Sequence, residues 1–451
     1  MATRNGIKSS TMTLDDAPTL PLIPSPGGDP LGAFRHERLP CWALVRRSFD
    51  RAEIDDVRGA VDGALATVSH MVPTGARVCL AVGSRGIDRI DEVVAASVTA
   101  LRAAGGEVFV VPAMGSHGGA TAEGQLEVLA SLGVTPERIG CEIRASMATV
   151  QLGEVEGIPV LIDRIAVQEA DAIVPINRVK PHTDFTGPVE SGLLKMIAIG
   201  LGKQVGADTF HARGFHEFAE LIPAVAAFTL ARAPIPFGLA LIENGYARLA
   251  RVEAVPAAGM EAREGQLKVD ADALLSRLPF EALDVLVIDR IGKDISGLGM
   301  DSNVVGRYYT GSTGRPPYIQ RIFVRDLTDG TDGNAVGIGM ADVVHRRAVE
   351  RMDAVATYMN CVTAKTPEGA RIALTASSDR QGLDIALACC LQVDPATARI
   401  ARIRDTKQLE WFLASEPLLT ELRARDDCEV QGLPAAIAFG ADDGFIDVLP
   451  D

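Results

Sequence analysis

From about residue 40 the chain alternates short β-branched runs with stretches whose apolar residues recur at helical spacing. The run Arg77–Val82 ends in Gly83-Ser84-Arg85-Gly86, a strand feeding a glycine turn. Residues 90–104 have helical periodicity and stop at Gly105-Gly106, and Glu107–Pro112 is a second β-branched run, so a βαβ unit is predicted. That second strand runs into Ala113-Met114-Gly115-Ser116-His117-Gly118-Gly119, after which Thr121 can cap a helix over 122–132. A third run, 172–176, leads into Asn177-Arg178-Val179-Lys180-Pro181-His182. In doubly wound sheets ligands sit outside the carboxyl ends of the strands, which is where Arg85, His117 and His182 fall.

Between residues 255 and 280 the pattern breaks into small residues and proline, with a Leu-rich helical segment from about Asp270. The second half restarts with a strand at 283–288, opens into the turn 290–301, and continues with a strand at 371–375, a helix at 384–391 and a strand at 398–403. The expected fold is α/β in two domains, each a mainly parallel sheet flanked by helices, with the active site in the interdomain cleft. The expected boundaries are a flexible N-terminal arm at 1–38, one domain at 39–270 and a second at 271–451. No short-period repeat is present.

The chain has 451 residues, 47% of them apolar, which is ample for two cores. A net charge of −15 argues against nucleic acid as a partner and means that any carboxylate substrate needs a local cluster of cations. The seven cysteines are odd in number, scattered, and include the adjacent pair Cys389 and Cys390, a pattern expected of buried thiols in a reducing compartment. The first 30 residues are proline-rich without a continuous apolar stretch, and no run approaches the ~18 apolar residues of a membrane span, so a soluble cytoplasmic protein without a membrane partner is expected.

Histidine titrates near neutrality and binds transition metals when neutral, and there are seven in the chain. His117 and His182 fall in turns after predicted strands; each is either a turn residue facing water or a group aimed into a cleft. Lys195 sits in the apolar stretch Ser191-Gly192-Leu193-Leu194-Lys195-Met196-Ile197, where it is either a lysine of lowered pKa or one that snorkels from a helix end. Lys203, between Gly202 and Gln204, fits the solvated role better. His211 and His216 are five apart, which misses the spacing that puts two ligands on one helix face. No H-E-x-x-H, Walker A, G-x-G-x-x-G or G-x-S-x-G motif occurs. The glycine-rich segment 292–299 is either a substrate or phosphate loop or a structural one.

The ordered set Ser84-Arg85-Gly86, Gly115-Ser116-His117, Lys180-Pro181-His182, Ser191-Gly192-Leu193-Leu194-Lys195 and His211 resembles the lactate racemase family over roughly residues 40–445. Members of that family use a nickel-pincer nucleotide (nickel pyridinium-3,5-bisthiocarboxylic acid mononucleotide). The resemblance implies that Lys195 tethers this cofactor through a thioamide and that His211, 16 residues later, ligates nickel. It further implies that His117 and His182 are the catalytic bases of a reversible hydride transfer, and that Arg85 and Lys293 hold the substrate carboxylate or the cofactor. The chain departs from the family in Gly83-Ser84-Arg85-Gly86, in the extra residues Gly187-Pro188-Val189-Glu190, and in segment 292–303. The expected activity is therefore a racemase or epimerase of a 2-hydroxy acid other than lactate. Cofactor-biosynthesis proteins are the expected partners, and a homo-oligomer is compatible with the sequence. A metal-assisted lyase or hydrolase using the same histidines, and a non-catalytic nucleotide-binding protein, are the alternatives.

Overall fold

The computed structural model describes residues 30–84, 86–310 and 314–450. Most of the expected N-terminal arm, and Arg85, lie outside the described residues. The strands are β1 (Cys41–Arg47), β2 (Arg77–Val82), β3 (Glu107–Pro112), β4 (Thr149–Val155), β5 (Ile158–Asp163), β6 (Ala172–Arg178), β7 (Phe237–Glu243) and β8 (Leu249–Pro256), followed by β9 (Ala282–Ile288), β10 (Tyr318–Val324), β11 (Val343–His345), β12 (Leu374–Ala376), β13 (Ile400–Ile403), β14 (Trp411–Ser415) and β15 (Cys428–Ala436). They form an α/β architecture of sheets flanked by helices.

A five-stranded sheet has the order β3-β2-β6-β7-β8, parallel except for the last pair. β2, β3, β6 and β7 are near-continuous apolar runs because both faces are covered, whereas the edge strand β8 is half-exposed. Cys79, Ala81, Phe109 and Val111 pack into a core on one side, and Val78, Leu80, Val82, Val108 and Val110 into a core on the other. The crossover helix Ile90–Ala103 buries Val93, Val94, Val98 and Leu101 on one stripe, as its periodicity predicts. Thr121 caps the helix Ala122–Ser131, its side chain accepting from the Gly124 N–H at 3.0 Å. β4 and β5 form a separate antiparallel hairpin that the sequence pattern does not announce.

An eight-stranded sheet has the order β12-β11-β10-β9-β13-β14-β1-β15. It is mixed rather than mainly parallel: the β12 to β13 side is parallel, whereas β14, β1 and β15 pair antiparallel. β1 comes from the start of the described chain yet lies between β14 and β15. The chain just before it is tied down, since the His36 N–H donates to Asp384 at 3.0 Å and Arg35 pairs with Asp443 at 3.0 Å.

Other elements shift from their expected positions. The helix placed from about 270 runs over Met260–Leu274, and the one placed at 384–391 runs over Asp379–Ala388 because Ser378 caps it, accepting from the Gln381 N–H. The strand expected at 371–375 shortens to β12. Among the described residues no helix is long and apolar enough to cross a membrane. Cys79, Cys141 and Cys361 are buried and the other four thiols half-buried, with none in a disulfide.

Candidate active site

A cavity of about 790 Å³ opens at the carboxyl ends of both sheets. On one side it is lined by the turns after β2, β3 and β6 and by the segment 195–211; on the other by the turn after β9, by the helix Ala354–Ala364 and by Thr406 and Lys407 beyond β13. His117, His182, Lys195, His211 and Lys293 all line it, although they lie far apart in the sequence.

His117 is exposed, and its Nδ1 contacts Ser84 Oγ, which joins the turns after β2 and β3. Gly118 has φ +68°, and a Cβ there would strike the backbone of Gly124 and Gln125, so the turn closes onto its helix only with glycine.

His182 is buried, its ring 4.6 Å from Phe185 between centroids. Its N–H donates to Glu190 at 2.6 Å and its carbonyl accepts from Asn303 of the second half at 3.0 Å. Glu190, itself buried, also accepts from the Gly187 N–H at 3.0 Å and pairs with Lys268 at 2.8 Å. The segment Gly187-Pro188-Val189-Glu190 thus supplies the carboxylate that fixes the His182 backbone. His182 Nδ1 accepts the Asp184 N–H at 3.0 Å, with Asp184 Oδ2 at 3.5 Å. Asp184 thus presents both a donor and an acceptor to Nδ1. Nε2 faces Lys195 Nζ.

Lys195 ends the short helical turn Leu193–Lys195 and leads into the π-helical segment Met196–Gly200. That turn begins under Glu264, which accepts from the N–H groups of Leu193 at 2.6 Å and Leu194 at 3.1 Å. Gly192 permits this approach, since a Cβ would meet the Glu264 carboxylate. Burial drives the Glu264 carboxyl up to about 7 in spite of the two backbone donors.

His211, on the helix Lys203–Arg213, is half-buried against Phe215 and Phe218. Burial, and then the charges of Lys195 and Lys365, push it down to about 4, so the ring is neutral at physiological pH. Its Nδ1 is buried without a hydrogen-bond partner. A neutral imidazole with an uncommitted nitrogen has the donor chemistry of a metal ligand. Among the described residues no group of three or more His, Cys, Asp or Glu side chains is arranged to hold a metal ion, so the three histidines do not form an ion cage by themselves.

Lys293 Nζ donates to Gly297 O and to Asn360 Oδ1, both at 2.9 Å, which places an ammonium on the second-half wall. Lys180, of the Lys180-Pro181-His182 turn, and Lys407, which the sequence did not single out, line the cavity as well. Lys203 differs from its expected solvated role: it is fully buried and pairs with the equally buried Asp163 at 2.7 Å.

No profile of a known protein family matches the chain, and no curated protein matches it. Among solved structures it is similar to the lactate racemase apoprotein from Thermoanaerobacterium thermosaccharolyticum, with 11% identity over 82% of this chain and 99% of that one and a TM-score of 0.46. At that level the likeness assigns no activity.

Proposed function

We propose that this chain is a cytoplasmic racemase or epimerase of a 2-hydroxy acid other than lactate, working with a nickel-pincer nucleotide supplied by cofactor-biosynthesis proteins. The reading divides the chain at about residue 270 into two domains with the site between them, β1 crossing from the first segment into the second sheet. The observation that carries it is the convergence of His117, His182, Lys195, His211 and Lys293 on one cavity.

In this reading Lys195 would hold the cofactor covalently through its Nζ, which lies beside His182 Nε2. His211 offers a neutral ring nitrogen to nickel. The bound cofactor supplies the site that accepts and returns the hydride from Cα. His117 and His182 take and return the hydroxyl proton, one for each face of the substrate. Asp184 presents both a donor and an acceptor to His182 Nδ1, so the ring can carry a proton at either nitrogen or at both. Lys293, with Arg85, pairs with the substrate carboxylate and offsets the negative charge of the whole molecule.

The test is the nickel content and intact mass of protein co-expressed with the family's cofactor-making enzymes, beside a Lys195→Ala variant. Near-stoichiometric nickel with a cofactor-sized mass increment that the variant lacks is expected. Protein that carries neither nickel nor the increment would overturn the reading.

A further inference from the structure

Three fully buried polar side chains from three separate elements meet beneath the His117 turn, and none of them belongs to the proposed chemistry. They are Asp163 at the end of β5, Gln125 on the helix Ala122–Ser131, and Lys203 at the start of the helix Lys203–Arg213. A buried ion pair is weak evidence for added stability, because desolvating two charges costs about as much as their attraction returns. Its retention asks for another explanation, and its contacts supply one.

Lys203 Nζ pairs with Asp163 at 2.7 Å and donates to the carbonyl of Pro112, the last residue of β3, at 2.5 Å. It also reaches Gln125 Oε1 at 3.4 Å. With that oxygen engaged, the amide of Gln125 is turned so that Nε2 donates to Gly115 O at 2.9 Å and to His117 O at 3.4 Å. Lys203 takes up this place with φ +55°, a left-handed backbone that a residue with a side chain adopts at a cost, which persists where the surroundings over-determine it. The last residue of β3 and two carbonyls of the turn are therefore held from below by one chain of charge-assisted and amide hydrogen bonds.

We infer that Asp163, Lys203 and Gln125 are positioning residues that fix the exposed His117 ring against Ser84. The role rests on the proposed proton transfer at His117 for its meaning, but its physical content is the register of the turn. The turn's own backbone bonds are local or single: His117 N–H donates to Met114 O at 3.2 Å, Ala120 N–H to Ser116 O at 3.1 Å, Thr121 N–H to Gly118 O at 3.3 Å, and Gly115 N–H to Gly200 O at 3.1 Å. Glycines at 115, 118 and 119, all at positive φ, would otherwise leave it free to sample other conformations.

The experiment compares wild type, Gln125→Met and a packing control, Leu129→Ala, whose side chain is equally buried on the same helix but has no group that could hydrogen-bond to a turn carbonyl. Two readouts are taken on the protein without cofactor: amide hydrogen exchange at Gly115 and His117, and the ring ¹⁵N resonances of His117, assigned with His117→Gln. Loss of two hydrogen bonds to the turn should speed exchange at both amides by about tenfold in Gln125→Met. It should also move His117 Nδ1 toward the shift of a free imidazole, whereas Leu129→Ala lowers stability and leaves the His117 resonances in place. Unchanged His117 resonances in Gln125→Met, or the same change in Leu129→Ala, would overturn the inference. If Gln125→Met does not fold, wild type decides alone: exchange at Gly115 and His117 as slow as in β3 supports the hold, and exchange as fast as in an open loop refutes it. A turn held in this way in a protein whose turnover survives His117→Gln would sink the proton-transfer role while leaving the positioning intact.

Discussion

Glu264 lies beneath the turn that carries Lys195, and its carboxyl is pushed from the usual 4.5 up to about 7 by burial. Between those values the folded chain keeps a proton that the unfolded chain has released, so this group's contribution to stability falls as pH rises from about 4.5 to 7 and is level above. Urea unfolding should therefore show Glu264→Gln gaining on wild type between pH 5 and pH 8; a constant difference across that range would mean that Glu264 titrates normally. Residue types at the cavity were legible in the sequence because His117, His182 and Lys195 stand where a turn or an apolar run makes a polar side chain conspicuous. Glu190, Glu264, Gln125 and Asp163 were not, because a polar residue destined for burial reads like a surface one until its partner is known. Those partners are set by the fold: Glu264 meets Leu193, and Lys203 meets Asp163.

At the scale of elements, strands were the easier part. β2, β3, β6 and β9 are buried on both faces, so their apolar runs stand out and their ends lead directly into the cavity. Helix boundaries were less legible: Met260–Leu274 carries Glu264, Lys268 and Asp270 among its apolar residues and has no strong amphipathic stripe, so its first turns were missed. The hairpin β4-β5 escaped because β4 is half-exposed and mixes polar with apolar residues like a loop, although β5 buries Ile158, Val160 and Ile162 and ends in Asp163, which anchors the pair with Lys203. Removing one partner of that buried pair should cost about 3–5 kcal/mol, and removing both far less. Chemical denaturation of Lys203→Met and of the double variant Lys203→Met/Asp163→Leu measures this; equal losses in the two would show that the pair acts through packing and not through charge.

For the whole molecule, the α/β class was legible from the alternation of runs, but the insertion of β1 between β14 and β15 was not, since a single strand pattern does not reveal which sheet it joins. A fragment spanning 271–451 lacks β1 and leaves the facing edges of β14 and β15 without their shared neighbour. It should be insoluble when expressed alone and be rescued by co-expression with residues 39–50; a soluble, cooperatively folded fragment would show that β1 is dispensable. The same strand sets an order of events during synthesis. Trp42 pairs with Ser415, so at about 5–20 residues per second β1 waits for tens of seconds after it is made before either neighbour exists. The five-stranded sheet, whose strands all lie between residues 77 and 256, can close during that interval. The nascent chain thus carries a strand in search of a partner throughout that interval, and this is the period in which a chaperone would have most to do.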